Sequence, residues 1–335
     1  MSTSSEGRSG GAAGPEQTAA ALGRAVAEQV GRVIVGKADQ TRLVTAALLA
    51  GGHVLIDDVP GVAKTLLVRT FAASLGLSFS RLQCTADLLP ADVTGSTVFD
   101  QGHSSFEFRP GPIFANVVLA DEVNRATPRT QSAFLEAMEE RGVTVDGHTH
   151  ALPRPFLVLA TQNPIELKGT FPLPEAQLDR FLLRLRMGYP SAEEEGRMLA
   201  RFRTGDPLSE VRPVDVAGRL PAAQAEVRDV HVADDVAGYV VALARATRET
   251  PLLRLGASPR ASLALLHAAQ AWAALDGRDF VTPDDVQTLA APVLAHRLLL
   301  SRDAVIERRD PEDVLRTLVA AVPVPAEAAD GHEDG

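Results

Sequence analysis

The stretch His53-Val-Leu-Ile-Asp-Asp-Val-Pro-Gly-Val-Ala-Lys-Thr65 limits the fold more than any other part of this 335-residue chain. Val54-Leu55-Ile56 is a short apolar run of the kind a buried strand requires, and Pro60-Gly61 is a tight turn. Lys64-Thr65 then opens an apolar helical pattern through Leu66, Leu67, Val68 and Phe71. Strand, glycine turn, Lys-Thr and helix make a cradle for nucleotide phosphates. Loop amides and the helix N-terminus face the phosphates, the lysine neutralises them, and the threonine hydroxyl is a magnesium ligand. Asp58 and Ala63 stand where the spacing G-x-x-x-x-G-K-[ST] has glycines. Alanine is the smallest substitute and is expected to fit if the backbone there is helical. A carboxylate at Asp58 must point away from the phosphates. Taken alone, the segment also fits an ordinary strand-turn-helix with a surface lysine, so the rest of the chain has to decide.

The second element is Val117-Val-Leu-Ala-Asp121-Glu122, an apolar run ending in two acids. It places carboxylates at the carboxyl end of a buried strand, where ligands bind in open α/β sheets. Asp121 is the natural partner of a magnesium ion held by Thr65, and Glu122 is placed to orient and deprotonate an attacking water. The third is Phe156-Leu-Val-Leu-Ala160-Thr-Gln-Asn163-Pro, again a strand ending in a polar residue. Asn163 can hydrogen-bond a γ-phosphate or the water, although Asn-Pro by itself is a turn signal.

Around these elements, strand-like runs alternate with amphipathic helices as far as Met187-Gly188-Tyr189-Pro190, which indicates a parallel sheet covered by helices on both faces. Val98–Phe108 and Val143–His150, the latter carrying Asp146-Gly147, read as two hairpins inserted into that plan. After Pro190 strands nearly vanish. Ser258-Pro259, Thr282-Pro283 and Asp310-Pro311 signal helix starts, so a small all-helical domain is expected. The boundaries drawn are residues 1–15 for a Ser/Gly/Ala-rich disordered tail, 16–190 for the α/β core, 191–322 for the helical domain and 323–335 for a disordered acidic tail.

A net charge of -10 argues against a general polyanion-binding surface, and a single cysteine, Cys84, excludes an intrachain disulfide or a cysteine-rich metal site. No apolar run reaches the roughly 18 residues of a membrane span, and no signal-peptide core opens the chain; a soluble cytoplasmic protein without membrane insertion is expected. Trp272, His53 and Cys84 read as structural residues.

Together, Asp58–Thr65, Leu119–Ala126, Gln131–Glu140, Ala160–Glu166, Phe171–Phe181 and Gly256–Ala261 resemble the MoxR family of AAA+ ATPases, in order, from about Val30 to Val322. The resemblance implies an AAA+ P-loop core with two hairpin insertions and a helical lid. It implies ATP and Mg2+ as ligands, held by Val35, Gly36 and the loop Asp58, Val59, Pro60, Gly61, Val62, Ala63, Lys64, Thr65 and Leu66. Thr65 and Asp121 would hold the metal. Glu122 and Asn163 would act as Walker B acid and sensor 1. Arg260, in Ser-Pro-Arg, would reach the γ-phosphate from the lid as sensor 2, and Arg180, in Leu-Asp-Arg-Phe, would enter a neighbouring subunit's site as an arginine finger. An arginine supplied in trans is worth about 10³–10⁵ in rate.

The resemblance further implies an oligomeric ring, expected to be a hexamer, that remodels a protein client by chaperone-like maturation or metal-cofactor insertion, with a von Willebrand factor A domain protein as a further partner. A magnesium-chelatase-type motor subunit or a nucleic-acid-stimulated motor is the competing class, against which the acidic balance and the lack of an appended DNA-binding motif weigh. Arg125 reads either as a group facing a neighbouring site or as a helix cap. Phe106 and Phe108 read equally as a hydrophobic tip facing a client or as packing.

Overall fold

The computed structural model describes residues 18–59, 61–163, 169–203, 205–214 and 219–325. Pro60, the expected tail 1–15 and all but the first three residues of the expected tail 323–335 lie outside the described residues.

Helices α1 (Thr18–Val33) and α2 (Ala38–Leu49) precede strand β1 (Val54–Asp57), and α3 (Lys64–Ser74) and β2 (Phe79–Gln83) follow it. The short helix α4 (Pro90–Thr94) leads into the hairpin β3 (Gly95–Asp100) and β4 (Ser105–Pro110). Next come β5 (Val117–Asp121), α5 (Pro128–Glu140) and a second hairpin, β6 (Gly142–Val145) and β7 (His148–Ala151). Strand β8 (Leu157–Gln162), helix α6 (Glu175–Leu178) and strand β9 (Leu183–Leu185) complete this half.

Five strands form one sheet in the order β2-β5-β8-β1-β9, with every neighbouring pair parallel. A parallel sheet is stable only when both faces are covered, and the strands show why they are apolar throughout. Val54, Ile56, Val117, Leu119, Leu157 and Leu159 enter one hydrophobic cluster, while Leu55, Val118, Ala120, Val158 and Ala160 enter the other. The two expected hairpins are both present, each as a separate antiparallel pair outside the sheet. In the first hairpin Phe106 is 75% exposed and meets Phe99 edge-on. Phe108 instead stacks on His150 at 3.8 Å and meets Phe114, so it packs.

After Pro190 the chain forms α7 (Ala192–Phe202), α8 (Arg219–Asp229), α9 (Asp234–Glu249), β10 (Leu253–Leu255), α10 (Pro259–Leu275), α11 (Pro283–Leu294), β11 (Leu299–Leu300), α12 (Arg302–Ile306) and α13 (Pro311–Ala321). This half is mostly helical; the antiparallel pair β10–β11 is the departure from the all-helical expectation. The three expected starts are N-caps with proline in the first turn. Ser258 Oγ accepts from Ala261 N, Thr282 Oγ1 from Asp285 N, and Asp310 Oδ1 from Glu312 N.

The helical half is braced to the amino end of the sheet. Arg297, buried, donates to Asp179 Oδ1 at 2.7 Å and to the carbonyls of Phe181 and Leu182 at 2.7 and 3.2 Å. Ser258 Oγ, at the head of α10, donates to Asp179 Oδ2. Burial pushes the Arg297 guanidinium below its ordinary value, while the Asp179 carboxylate opposes that shift. His53, Trp272 and Cys84 are structural as expected. His53 is buried between Met138 O and Val158 N, Arg42 stacks over Trp272 at 3.8 Å, and Cys84 is buried with its thiol pushed up to about 12 by desolvation and the nearby acids Asp121 and Glu122. No helix among the described residues is long and apolar enough to cross a membrane.

Candidate active site

The carboxyl ends of the sheet strands open onto a cavity of about 510 Å3, lined by Gly61, Ala63, Lys64, Thr65, Leu66, Arg81, Gln83, Asp121, Glu122, Thr161, Gln162 and Asn163. Residues spread over a hundred positions of sequence converge here because β1, β5 and β8 are adjacent and parallel, so their last residues share one edge. Lys64 and Thr65 begin α3, Asp121 ends β5, and Asn163 follows β8.

The loop before α3 is shaped by two exceptions. Ala63 is the N-cap of α3 with φ +59° and ψ +25°, left-handed and not the right-handed helical backbone expected for an alanine there. The turn must reverse direction before the helix starts, and this overrides the roughly 1–2 kcal/mol that a Cβ costs in that region. Asp58 is the second exception. Its carboxylate lines neither cavity of the site; Oδ1 accepts from Val59 N at 2.7 Å, and Oδ2 accepts from Met187 N and Gly188 N at 2.5 and 2.7 Å. It thus ties the loop to the segment leaving β9 and points away from the phosphate cavity. Val59 also lies outside both cavities. Lys64 Nζ donates to the carbonyls of Asp58 and Val59 at 2.8 and 3.2 Å, which closes the loop on itself.

The acids are held by side chains of which the sequence pattern singled out only Arg125. Arg81 donates through Nε and Nη2 to Asp121 Oδ2 at 3.0 and 2.8 Å. Thr161 Oγ1 donates to Asp121 Oδ1 at 2.8 Å and accepts from Glu122 N at 2.9 Å. Gln83 Nε2 donates to Glu122 Oε2 at 3.2 Å, and Arg125 Nε lies 3.2 Å from the same oxygen. Glu122 itself has φ +55°, a left-handed conformation uncommon for a residue with a side chain. Arg81 and Gln83 alternate on β2, whose register places Gln83 opposite Asp121. β2 is an edge strand with one buried residue, Leu82, so it lacks the apolar run that reveals β5 and β8.

A second, more apolar cavity of about 280 Å3 adjoins the first and shares Gly61, Ala63 and Leu66 with it. Val35 and Val62 line it, together with Ile34, Met187, Tyr189, Met198 and Phe202. Gly36 lines a smaller cavity beside it; its φ is +72°, and a Cβ there would collide with the Glu194 carboxylate. The contribution of α7 to this cavity, through Glu194, Met198 and Phe202, has no signature in the sequence beyond an amphipathic pattern.

Arg180 and Arg260 line neither cavity. Arg180 precedes β9, at the amino end of the sheet, and its Nε is 3.2 Å from Glu139 Oε2. Arg260, in the first turn of α10, places Nη1 at 3.1 Å from Glu139 Oε1. The structure therefore puts the expected lid arginine beside the expected finger, at the end of the sheet opposite Lys64. Arg260, expected to reach a γ-phosphate from the lid, thus lies away from the phosphate cavity of its own chain.

Known proteins similar to this chain match it along most of its length. Residues 53–183 match the ATPase family associated with various cellular activities (AAA), and residues 245–318 match the AAA lid domain. The uncharacterised protein YeaC of Bacillus subtilis is 52% identical over 306 residues, 91% of this chain and 95% of that protein. Chaperone MoxR1 of Mycobacterium tuberculosis is 43% identical, with 94% of this chain and 85% of that protein covered. Protein MoxR of Paracoccus denitrificans is 34% identical, with 88% and 94% covered. A solved structure from Cytophaga hutchinsonii superposes with a TM-score of 0.86 at 35% identity, covering 92% of this chain and 97% of that one. With an AAA core, an AAA lid and full-length relatives of this kind, the chain belongs to the MoxR family of AAA+ ATPases.

Proposed function

We propose that this chain hydrolyses ATP in a ring of identical subunits, and that each working site is completed by a neighbour. The supporting observation is the convergence of Lys64, Thr65, Asp121, Glu122 and Asn163 on one cavity while Arg180 and Arg260 sit together at the other end of the sheet. The adenine fits the apolar cavity beside Val35 and Val62, and the triphosphate crosses the shared loop residues into the polar cavity. Lys64 leaves the loop carbonyls to meet the β- and γ-phosphates.

Thr65 and Asp121 bring a hydroxyl and a carboxylate to the same cavity, a hard oxygen donor set that suits Mg2+. The ion would neutralise phosphate charge there. Glu122 accepts a proton from water as its oxygen attacks the γ-phosphorus and the bond to the β–γ bridging oxygen breaks. Asn163 orients that water. Arg81 and Gln83 hold the two acids in the resting site, so both contacts must loosen when nucleotide enters. Arg180 and Arg260 stabilise the transferring phosphoryl group of the neighbouring subunit.

The work performed is remodelling of a protein client. Phe99 and Phe106, exposed on the first hairpin, are the groups offered to it. A von Willebrand factor A domain protein is the further partner we propose, and six subunits the ring size.

Glu122→Gln tests the chemistry directly. The variant should bind ATP as tightly as the parent and retain it unhydrolysed on a filter. Unchanged steady-state phosphate release would remove Glu122 from the role of base.

A further inference from the structure

Arg180 and Arg260 come from different halves of the chain and meet on one carboxylate. Glu139 Oε2 faces Arg180 Nε at 3.2 Å, and Glu139 Oε1 faces Arg260 Nη1 at 3.1 Å. Glu139 is misplaced as a helix stabiliser, because it lies in the last turn of α5, where the partial negative charge of the helix end disfavours an acid. Its side chain is 37% exposed, and ion pairs so open to water add little to stability.

What the carboxylate does change is the distance between two cations. Side by side, the guanidiniums of Arg180 and Arg260 repel. Arg297 adds a third positive charge nearby; its guanidinium is pushed down first by burial and also by the charge of Arg260. A negative group bridging Arg180 and Arg260 offsets that repulsion. Arg180 approaches Glu139 through Nε and Arg260 through Nη1, and a guanidinium carries five N–H donors, more than one carboxylate takes up, so donors remain for a phosphate.

We propose that Glu139 is a positioning residue: it locks the core arginine and the lid arginine into one unit, so that both enter the neighbouring subunit's phosphate site together. This rests on the delivery of Arg180 and Arg260 in trans. A pair held in register acts on one phosphoryl group, whereas splayed arginines reach it one at a time.

The test uses the full chain. Glu139→Ala and the isosteric but neutral Glu139→Gln should both lower kcat for Mg-ATP by about 10-fold to 100-fold, the scale expected when a catalytic group is misplaced. Thermal midpoint, assembly by light scattering and affinity for a fluorescent ATP analogue should stay at parental values. Glu139→Ala is then mixed with Lys64→Ala, which lacks a working phosphate site but keeps Glu139 and both arginines. Turnover should rise at least severalfold above either variant alone, because the Lys64→Ala subunits lend a correctly held pair to intact phosphate sites.

Parental kcat in either Glu139 variant overturns the proposal. So does loss of assembly or thermal stability in both, which would make Glu139 a structural residue, and so does the absence of any gain on mixing. Arg180→Ala measured alongside separates the two levels. If it turns over normally, delivery in trans is itself wrong; if it is inactive while Glu139→Ala is normal, only the role of Glu139 fails.

Discussion

The carboxyl end of the central sheet holds Lys64, Thr65, Asp121, Glu122 and Asn163 around one cavity, whereas the amino end holds Arg180, Arg260 and Glu139 on an open face. The first group is built from strand ends and the residues just after them, each placed by its own short segment. The second is built from the last turn of α5, the turn before β9 and the head of α10, and it depends on the docking of the helical half, to which Arg297 and Ser258 contribute by anchoring it to Asp179. At about 3.3 Å per residue, the four-residue strand β1 alone separates the two ends by roughly 13 Å. In this structure neither arginine lines the cavity that holds Lys64. The two groups are separated by the geometry of the chain, and the delivery by a neighbouring subunit proposed above is what would join them.

The largest effects should come from cutting the two ends separately. Lys64→Ala should abolish measurable ATP affinity, since the loop loses its only ammonium. Arg180→Ala should leave affinity within a few-fold of the parent but lower kcat by about 10³ or more, the scale of an arginine finger. Equal loss of affinity in both variants, seen by titration with a fluorescent analogue, would erase the distinction between an end that binds nucleotide and an end that acts only on its turnover.

The same contrast explains what was legible in the sequence. Val54–Ile56, Val117–Ala120 and Phe156–Ala160 are apolar at consecutive positions because both faces of the sheet are covered, and the polar residues that follow them had to fall on one edge. Arg180 and Arg260 were legible as residues but not as a pair. Their meeting depends on how α10 docks against the sheet, and no local pattern encodes that docking. Arg81 and Gln83 were missed for a different reason: β2 is an edge strand whose polar residues hide its periodicity. Asp58 had to point away from the phosphates, and it does, but its partners Met187 N and Gly188 N lie 129 and 130 residues further on.

A middle-sized effect isolates the amino end. His53 packs beneath it, accepting from Val158 N through Nδ1 while Nε2 meets Met138 O at 3.1 Å, a donor–acceptor pattern that requires the neutral ring. Its pKa is lowered to about 4, chiefly by burial; the Met138 carbonyl opposes the shift and Arg141 adds to it. As pH falls below 6.5 the unfolded chain takes up the proton and the folded chain does not, so the native state loses stability between pH 6.5 and 4. Near pH 4 this one group should remove about 3 kcal/mol. His53→Gln, which keeps a donor and an acceptor but cannot titrate, should flatten the acid side of the stability curve in chemical denaturation. An unchanged slope would mean that other groups, such as buried His296, carry the acid sensitivity.

The smallest effect belongs to the carboxyl end and concerns Ala63. Its left-handed backbone costs a residue with a Cβ about 1–2 kcal/mol, while glycine carries no such penalty but gives up roughly 0.5–1 kcal/mol of chain entropy on folding. The difference favours glycine by up to about 1.5 kcal/mol, so Ala63→Gly should raise the thermal midpoint by up to about 3 °C. Nothing comparable is available at the other end, where Arg180, Arg260 and Glu139 all have ordinary backbone angles and any strain is electrostatic. Saturating Mg-ATP should stabilise parent and variant equally if the loop keeps its left-handed turn with nucleotide bound. A midpoint that falls in Ala63→Gly would show that the alanine methyl, which lines both cavities, contributes more by packing than its backbone costs.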